Sequence, residues 1–368
     1  MKRLIVIAML LAGGFAAAQA PVQLNDSARP QTVNGKVIDQ AITGTLADTI
    51  HRLAAGGQAV WIAYGVPVID GEHHMCCFNA RSEFRDNARC CGGCRLESSN
   101  GDSMDADRLN NCHAAPADTF FVLARVGGGQ VQKLRPASAD CGLDLGGLTL
   151  YWLGDAKSSE SLAWLGDFVS RFDADDRAGR SLGDAALTAI AFHKDPAALL
   201  ALQRYIAPQQ PRKLRQQAAF WLGNSRGQRG FEIVRDAIRN DSDPKFREEA
   251  VFAISQSEVP EAQPELIRLA RHDSDHNVRE QALFWLAQSA GKKAAGAIND
   301  AIENDPDTDV KRKAVFALSQ MEHDEGVPLL INVAKTNKNP VVRKEALFWL
   351  GQSGDPRALD YIESVLKQ

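Results

Sequence analysis

At 368 residues, with 45% apolar and 24% charged side chains, the chain is long enough to bury two cores and too apolar for intrinsic disorder. Its 42 basic and 46 acidic residues leave a formal charge of −4, so no general field draws it to nucleic acid or to an anionic membrane.

Residues 1–20 have the layout of an export signal. Met1-Lys2-Arg3 supplies the positive start, Leu4 to Leu11 the apolar stretch, and Ala16-Ala17-Ala18 or Ala18-Gln19-Ala20 the small-residue cleavage site. Pro21 hinders a cut directly after Ala20, which favours cleavage after Ala18, and no cysteine stands nearby to take a lipid anchor. The apolar stretch falls short of the roughly 20 residues that span a bilayer, and no later segment is more apolar. The expectation is a periplasmic or secreted protein with no membrane span after cleavage.

Residues 21–180 are expected to form a small Cys-rich α+β domain. Asp39 to Ala54 has helical spacing of Ile42, Leu46, Ile50 and Leu53. Ala59 to Ile69 and Thr119 to Val126 are rich in β-branched and aromatic residues and read as strands. Gly127-Gly128-Gly129 is a turn signal before a returning strand over 130–134. A further strand is expected over Leu148 to Leu153 and a helix over Glu160 to Phe172. The polar stretch from Arg81 to Asp118 reads mostly as loop, and Arg171 to Gly183, with Asp173-Ala174-Asp175-Asp176, as a boundary loop or a capping turn.

From residue 181 to 368 the grammar changes. Arg215-Gln-Gln-Ala-Ala-Phe-Trp-Leu-Gly-Asn-Ser recurs at Arg247, Arg279, Lys311 and Arg343, each start 32 residues after the last, and one step back lies a degenerate unit at Gly183. A second helix follows at fixed offset, with Val234, Leu266, Ile298, Leu330 and Ile362 in one position and apolar partners three and four residues on. Stretches such as Asn240-Asp-Ser-Asp-Pro244 and Asn304-Asp-Pro-Asp307 supply caps, Asx turns and helix-starting prolines between units. One helix pair cannot bury its apolar face alone, so the pairs must stack. The fold class is mainly α: an α-α superhelical solenoid of about six units behind the α+β domain, with no obvious polar capping helix after Leu366.

This half resembles HEAT repeats of the short type first named for phycobilisome lyases, on the strength of its period and its Val/Phe-Arg-x-x-Ala starts. The resemblance implies a ladder between an acidic residue and the Arg four positions later. Asp243, Asp275 and Asp307 with Arg247, Arg279 and Lys311 match it, while Pro211 and Asn339 depart, which implies a ladder weaker at both ends.

Counted from the Arg at about 100° per residue, the Ala at +3 and the aliphatic residues at +4 and +7 form the core face. The Phe at +5 falls opposite: Phe220, Phe252, Phe284, Phe316 and Phe348. One turn on come Asn224, Gln256, Gln288, Gln320 and Gln352, and at +6 Trp221, Trp285 and Trp349 alternate with Ala253 and Ala317. This Phe/amide strip reads either as packing between tilted neighbours or as an apolar strip that binds a protein partner.

All seven cysteines lie in the first half, at Cys76, Cys77, Cys90, Cys91, Cys94, Cys112 and Cys141. Export favours disulfides among them, with one left over because seven is odd. His73, His74, Cys90, Cys91, Cys94 and Cys112 are the alternative, a zinc site by residue type and spacing. A redox-active thiol is the third reading. Phosphate-cradling, serine-hydrolase and zinc-protease motifs are missing from the sequence. Some HEAT-repeat proteins are iron hydroxylases built on His-Glu pairs, but His272-Asp273 and His323-Asp324 carry the other carboxylate and are expected between helices. Neither an enzyme nor a cofactor is expected. The reading is an exported module whose solenoid binds a protein, with metal binding or catalysis in the Cys/His-rich domain as the alternative.

Overall fold

The computed structural model describes residues 29–71, 93–98, 103–104, 118–139, 141–172, 177–290 and 292–367. The proposed export signal, five of the seven cysteines, and His73 and His74 lie outside them.

In chain order the first part runs β1 (Thr32–Val33), β2 (Lys36–Asp39), α1 (Leu46–Ala54), β3 (Val60–Pro67), β4 (Gly93–Arg95), β5 (Ser103–Met104), β6 (Thr119–Gly127), β7 (Gln130–Ser138), β8 (Gly142–Asp144), β9 (Thr149–Asp155) and α2 (Ser158–Val169). A five-stranded sheet has the order β2-β9-β3-β6-β7, parallel across β2, β9 and β3 and antiparallel beyond. A smaller sheet of order β1-β8-β4-β5 lies over it.

The five-stranded sheet is buried on both faces, and the period-two alternation of a strand sorts its side chains. Ile62, Tyr64, Val66, Phe120, Val122 and Ala124 face the helices. Trp61, Ala63, Phe121 and Leu123 face Cys94, Leu96, Cys141 and Leu143 of the smaller sheet. Gly128 and Gly129, both at positive φ, make the two-residue turn between β6 and β7.

Three expectations need correction here. Helix α1 starts at Leu46 rather than Asp39, because Thr45 and Asp48 form a capping box, and residues 36–39 pair with β9 as a strand. Glu160 of α2 also caps α1, accepting from the Leu46 amide at 2.8 Å. The stretch from Arg81 to Asp118 contains two strands, β4 and β5. The expected boundary loop gives way to helix from residue 177: α3 (Arg177–Phe192) begins inside it and packs against β7.

The helices then pair into units. Unit one is α3 with α4 (Pro196–Tyr205), unit two α5 (Arg212–Ser225) with α6 (Gly227–Asn240), and unit three α7 (Pro244–Ser255) with α8 (Ala262–His272). Unit four is α9 (His276–Ala290) with α10 (Lys292–Asn304), unit five α11 (Thr308–Ser319) with α12 (His323–Thr336), and unit six α13 (Pro340–Gln352) with α14 (Pro356–Leu366). His272 thus closes α8 and His323-Asp324 opens α12, rather than lying between helices.

Close approach within a pair requires a small residue where the second helix crosses the first. That position is Gly230, Ala262, Ala294, Gly326 and Ala358 in units two to six. A Cβ on Gly230 or Gly326 would stand 2.0 or 2.3 Å from the Leu222 or Leu318 carbonyl oxygen. One continuous apolar core runs from the helix-facing side of the sheet through the units to Ala358.

Candidate functional site

Each linker between units two to five carries an Asp-x-Asp pair with divided labour. The second carboxylate caps the following helix: Asp243 accepts from the Lys245 amide and Asp307 from that of Asp309, at 3.0 and 2.8 Å. The first makes an Asx turn, accepting from the second one's amide, and also receives the Arg of the preceding unit. Arg215 pairs with Asp241, Arg247 with Asp273, and Arg279 with Asp305. Arg247 and Arg279 also donate backward, to the Asp241 and Asp273 carbonyls at 3.0 Å.

The ladder therefore uses Asp241, Asp273 and Asp305 in place of the expected Asp243, Asp275 and Asp307, whose oxygens are engaged as caps. Its first rung is also not weak, since both Arg215 and Asp241 side chains are 4% exposed. The break comes later. Where Arg becomes Lys311 the receiving Asp becomes Asn337; Lys311 turns to the Glu303 carbonyl at 2.6 Å, and the Asn337 amide donates to the Glu303 carboxylate at 2.9 Å. The exchange removes the ion pair of that rung from both sides together.

The Phe strip forms a second ladder. Phe220 is buried, Phe252, Phe284 and Phe316 are half-buried, and Phe348 is 55% exposed. The Phe of a Trp-bearing unit stacks on the next Phe, Phe220 on Phe252 at 5.7 Å and Phe284 on Phe316 at 6.2 Å. The second ring of each pair then meets the next indole, Phe252 with Trp285 at 4.7 Å and Phe316 with Trp349 at 4.9 Å. This is the physical content of the Trp/Ala alternation. At the other end Trp221 reaches Phe192, which stacks on Phe120 of β6. Gln288, Gln320 and Gln352 are exposed beside the strip and Gln256 is half-buried.

The model of the family described as HEAT repeats matches residues 202–287 and 297–368. The C-terminal half is built of HEAT repeats. Among solved structures it is similar to the complex of CpcE and CpcF of phycocyanin lyase from Nostoc sp. PCC7120, at 16% identity over 42% of this chain and 98% of that one, with a TM-score of 0.34. It is also similar to human deoxyhypusine hydroxylase (18% identity, 56% and 91% covered, TM-score 0.28) and to YibA of Escherichia coli (20%, 58% and 82%, TM-score 0.36). None of the curated proteins compared with it matches.

The sixth HEAT unit differs from the others in what it shows to solvent. Leu366 is 80% exposed, while its equivalents Ile238, Ala270, Ile302 and Ala334 are at most 7% exposed. Val365 is 39% exposed against 3% for Val333, and Leu359 is 53% exposed against 2% for Val327. In units two to five the following unit covers these positions. Arg343 makes the backward half of its rung, donating to the Asn337 and Lys338 carbonyls at 2.9 and 3.0 Å. For the forward half, no carboxylate among the described residues pairs with it.

Ahead of the HEAT units, Cys94 and Cys141 are buried at 2% and 0% exposure between the two sheets. Cys76, Cys77, Cys90, Cys91 and Cys112, with His73 and His74, lie outside the described residues. A polar chain that the sequence did not reveal joins β3, α2 and α3. His193 Nδ1 lies 2.7 Å from the Ala189 carbonyl, an obligate acceptor, so this nitrogen carries the proton. Burial pushes the imidazole down to about 4, so it is neutral and Nε2 accepts from Ser161 at 2.8 Å. Ser161 in turn accepts from Tyr64 at 2.9 Å. All three side chains are 0% exposed, so this Ser-His pair meets no substrate and acts as a lock between sheet and solenoid.

Proposed function

We propose that this chain is an exported protein-interaction module whose HEAT solenoid docks a protein partner through the face of α13 and α14, in a binding rather than a catalytic role. The observation that carries the reading is the exposure of Phe348, Leu359, Val365 and Leu366 together. Several large apolar side chains exposed on one helix pair, unlike scattered single residues, mark an interaction surface. The Phe/amide strip contributes at its exposed end, through Phe348 and Gln352; its other rings are largely consumed by one another. Arg343 offers such a partner an unused guanidinium edge suited to a carboxylate.

Export is supported by the layout of residues 1–20, and it favours disulfides among the cysteines, of which Cys94 and Cys141 lie buried between the two sheets. On this reading residues 21–180 are a disulfide-stapled domain, sharing its core with the first HEAT unit.

Photo-crosslinking tests the docking face. A crosslinker placed at position 348 or 366 is expected to trap the same discrete partner in the secreted or periplasmic fraction, and one at Gln228 is expected to trap none. The Leu366→Glu variant should abolish the adduct with an unchanged melting temperature. A pattern shared with the Gln228 control, or no discrete adduct at either position, refutes the docking face.

A further inference from the structure

Outside the solenoid, the corner where β6 and β7 meet the smaller sheet holds, among the described residues, three cations and one carboxylate. Arg125 and Lys133 are directly opposite each other across the two strands, and Arg135 follows two residues on, on the same face. Like charges in directly opposed positions destabilise a sheet unless something neutralises them. Glu97 does so once: it accepts from Arg125 Nε at 2.9 and 3.0 Å and from the Trp61 indole at 2.9 Å. Lys133 Nζ reaches only the Glu97 backbone carbonyl, at 3.1 Å, and Arg135 Nη1 only the Leu134 carbonyl, at 3.0 Å. Among the described residues two positive charges are left over.

The corner is partly desolvated, which raises the cost of that excess. Arg125 and Glu97 side chains are 19% and 29% exposed, and Arg135 is half-buried. Burial holds both Lys133 and Arg135 below their ordinary values; the Glu97 carboxylate opposes this for both, and for Lys133 the nearby Arg135 and Arg125 add to the lowering. Arg135 still has a planar edge of N–H groups unspent, and Lys133 has two of its three. A folded chain that keeps three cations here with one counter-charge bears a repulsive cost that a bound anion would remove.

We propose that Arg125, Lys133 and Arg135 form a binding site for a doubly charged tetrahedral oxyanion, the phosphate or sulfate group. Two negative charges match the excess, and a tetrahedral group offers several acceptors to a guanidinium fork and an ammonium carried two residues apart on one face of β7, beside Arg125 of β6. Arg135 and Lys133 supply the free donors, while Glu97 and Gln132 hold Arg125 in place, Gln132 accepting from its guanidinium and donating to the Gly127 carbonyl.

Calorimetric titration of the full chain at constant ionic strength tests the site. The probes are inorganic phosphate, inorganic sulfate and glycerol 3-phosphate, with formate as the singly charged control. Phosphate and sulfate are expected to bind the wild type and to bind the Arg135→Gln and Lys133→Gln variants roughly tenfold or more weakly, with formate weak throughout. Binding of glycerol 3-phosphate as tight as that of phosphate assigns the site to a phosphate ester on a larger molecule, and loss of its binding assigns it to the free ion. Removal of one uncompensated cation should leave each variant at least as stable as the wild type in phosphate-free buffer of low ionic strength. Equal phosphate binding by wild type and both variants means an adventitious ion only. That result, no binding by the wild type, or variants that melt below it in phosphate-free buffer would each overturn the proposal.

Discussion

Lys311 and Asn337 show what a charged rung becomes when both partners change together, and the Arg279–Asp305 rung can be converted in the same way. Asp305→Asn alone strands a guanidinium whose side chain is 10% exposed beside a partner 5% exposed. Breaking one side of such a pair costs about 3 kcal/mol or more. Arg279→Lys alone loses the two-pronged contact at 2.8 and 3.1 Å and costs about 2 kcal/mol. In the double variant neither charge is stranded in a guanidinium-shaped slot, and the introduced lysine can turn to a linker carbonyl as Lys311 does. The double variant is expected to lose about 2 to 3 kcal/mol rather than the sum of about 5, a coupling of about 2 to 3 kcal/mol. Urea unfolding of the four proteins, followed by circular dichroism, measures it. Losses that add to within about 0.5 kcal/mol would refute the account of the ladder as coupled charge pairs.

The two ends of the aromatic ladder should respond differently. Phe316→Ala, in the stack between Phe284 and Trp349, is expected to cost about 2 to 3 kcal/mol in urea unfolding, and Phe348→Ala under about 1; equal losses would contradict the burial gradient. Gly326→Val must push α12 off the Leu318 carbonyl and should lower the melting temperature by several degrees, whereas Gly296→Ala, with open space at its Cβ, should not. The pH dependence combines two opposed groups. His193, held at about 4 against an ordinary 6.5, contributes stability present above pH 6.5 and lost as pH falls toward 4, about 3 kcal/mol in all. Asp184, pushed by burial up to about 6 from 3.8, contributes stability present below pH 3.8 and lost as pH rises toward 6. The two offset each other between pH 4 and 6, so the wild type should show a shallow profile there; Asp184→Asn should be more stable at pH 7 and lose about 2 kcal/mol on acidification to about pH 4.5. A wild-type profile as steep as the variant's would refute the opposition. Thiol titration of the mature protein should find one free cysteine with no bound metal; several free thiols with stoichiometric zinc would return the reading to the metal alternative.

The solenoid was legible because a repeat shows each physical requirement several times over. The apolar spacing, the caps and the Trp/Ala rhythm all recur at the same offset, and one match supports the next. The ladder partner was misassigned for a local reason. Two carboxylates stand two residues apart in each linker, and only the geometry tells which one caps a helix and which one faces the Arg. The paired change to Lys311 and Asn337 was visible in the sequence and points to the correct Asp. The first half offers no such repetition. Residues 36–39 are a strand only because β9 lies beside them, and α3 starts at Arg177, ahead of the first repeat, because it packs on β7. The corner of Glu97, Arg125, Lys133 and Arg135 joins a linker to two strands and has no signature along the chain.

The neutral rung at Lys311 and Asn337 has a consequence for motion. Units two to five are tied at each joint by a buried ion pair, whereas the joint before unit six has, among the described residues, only pairs open to solvent, Arg312 with Glu345 and Arg357 with Asp324, which contribute little, beside amide contacts and the rings of Phe316 and Trp349. Breathing of the stack should therefore begin at α13 and α14, so their backbone amides should exchange with deuterium ahead of those in α7 and α9. The face offered to a partner lies on the loosest part of the spring, and a partner that settles there would register as slowed exchange before any change of shape.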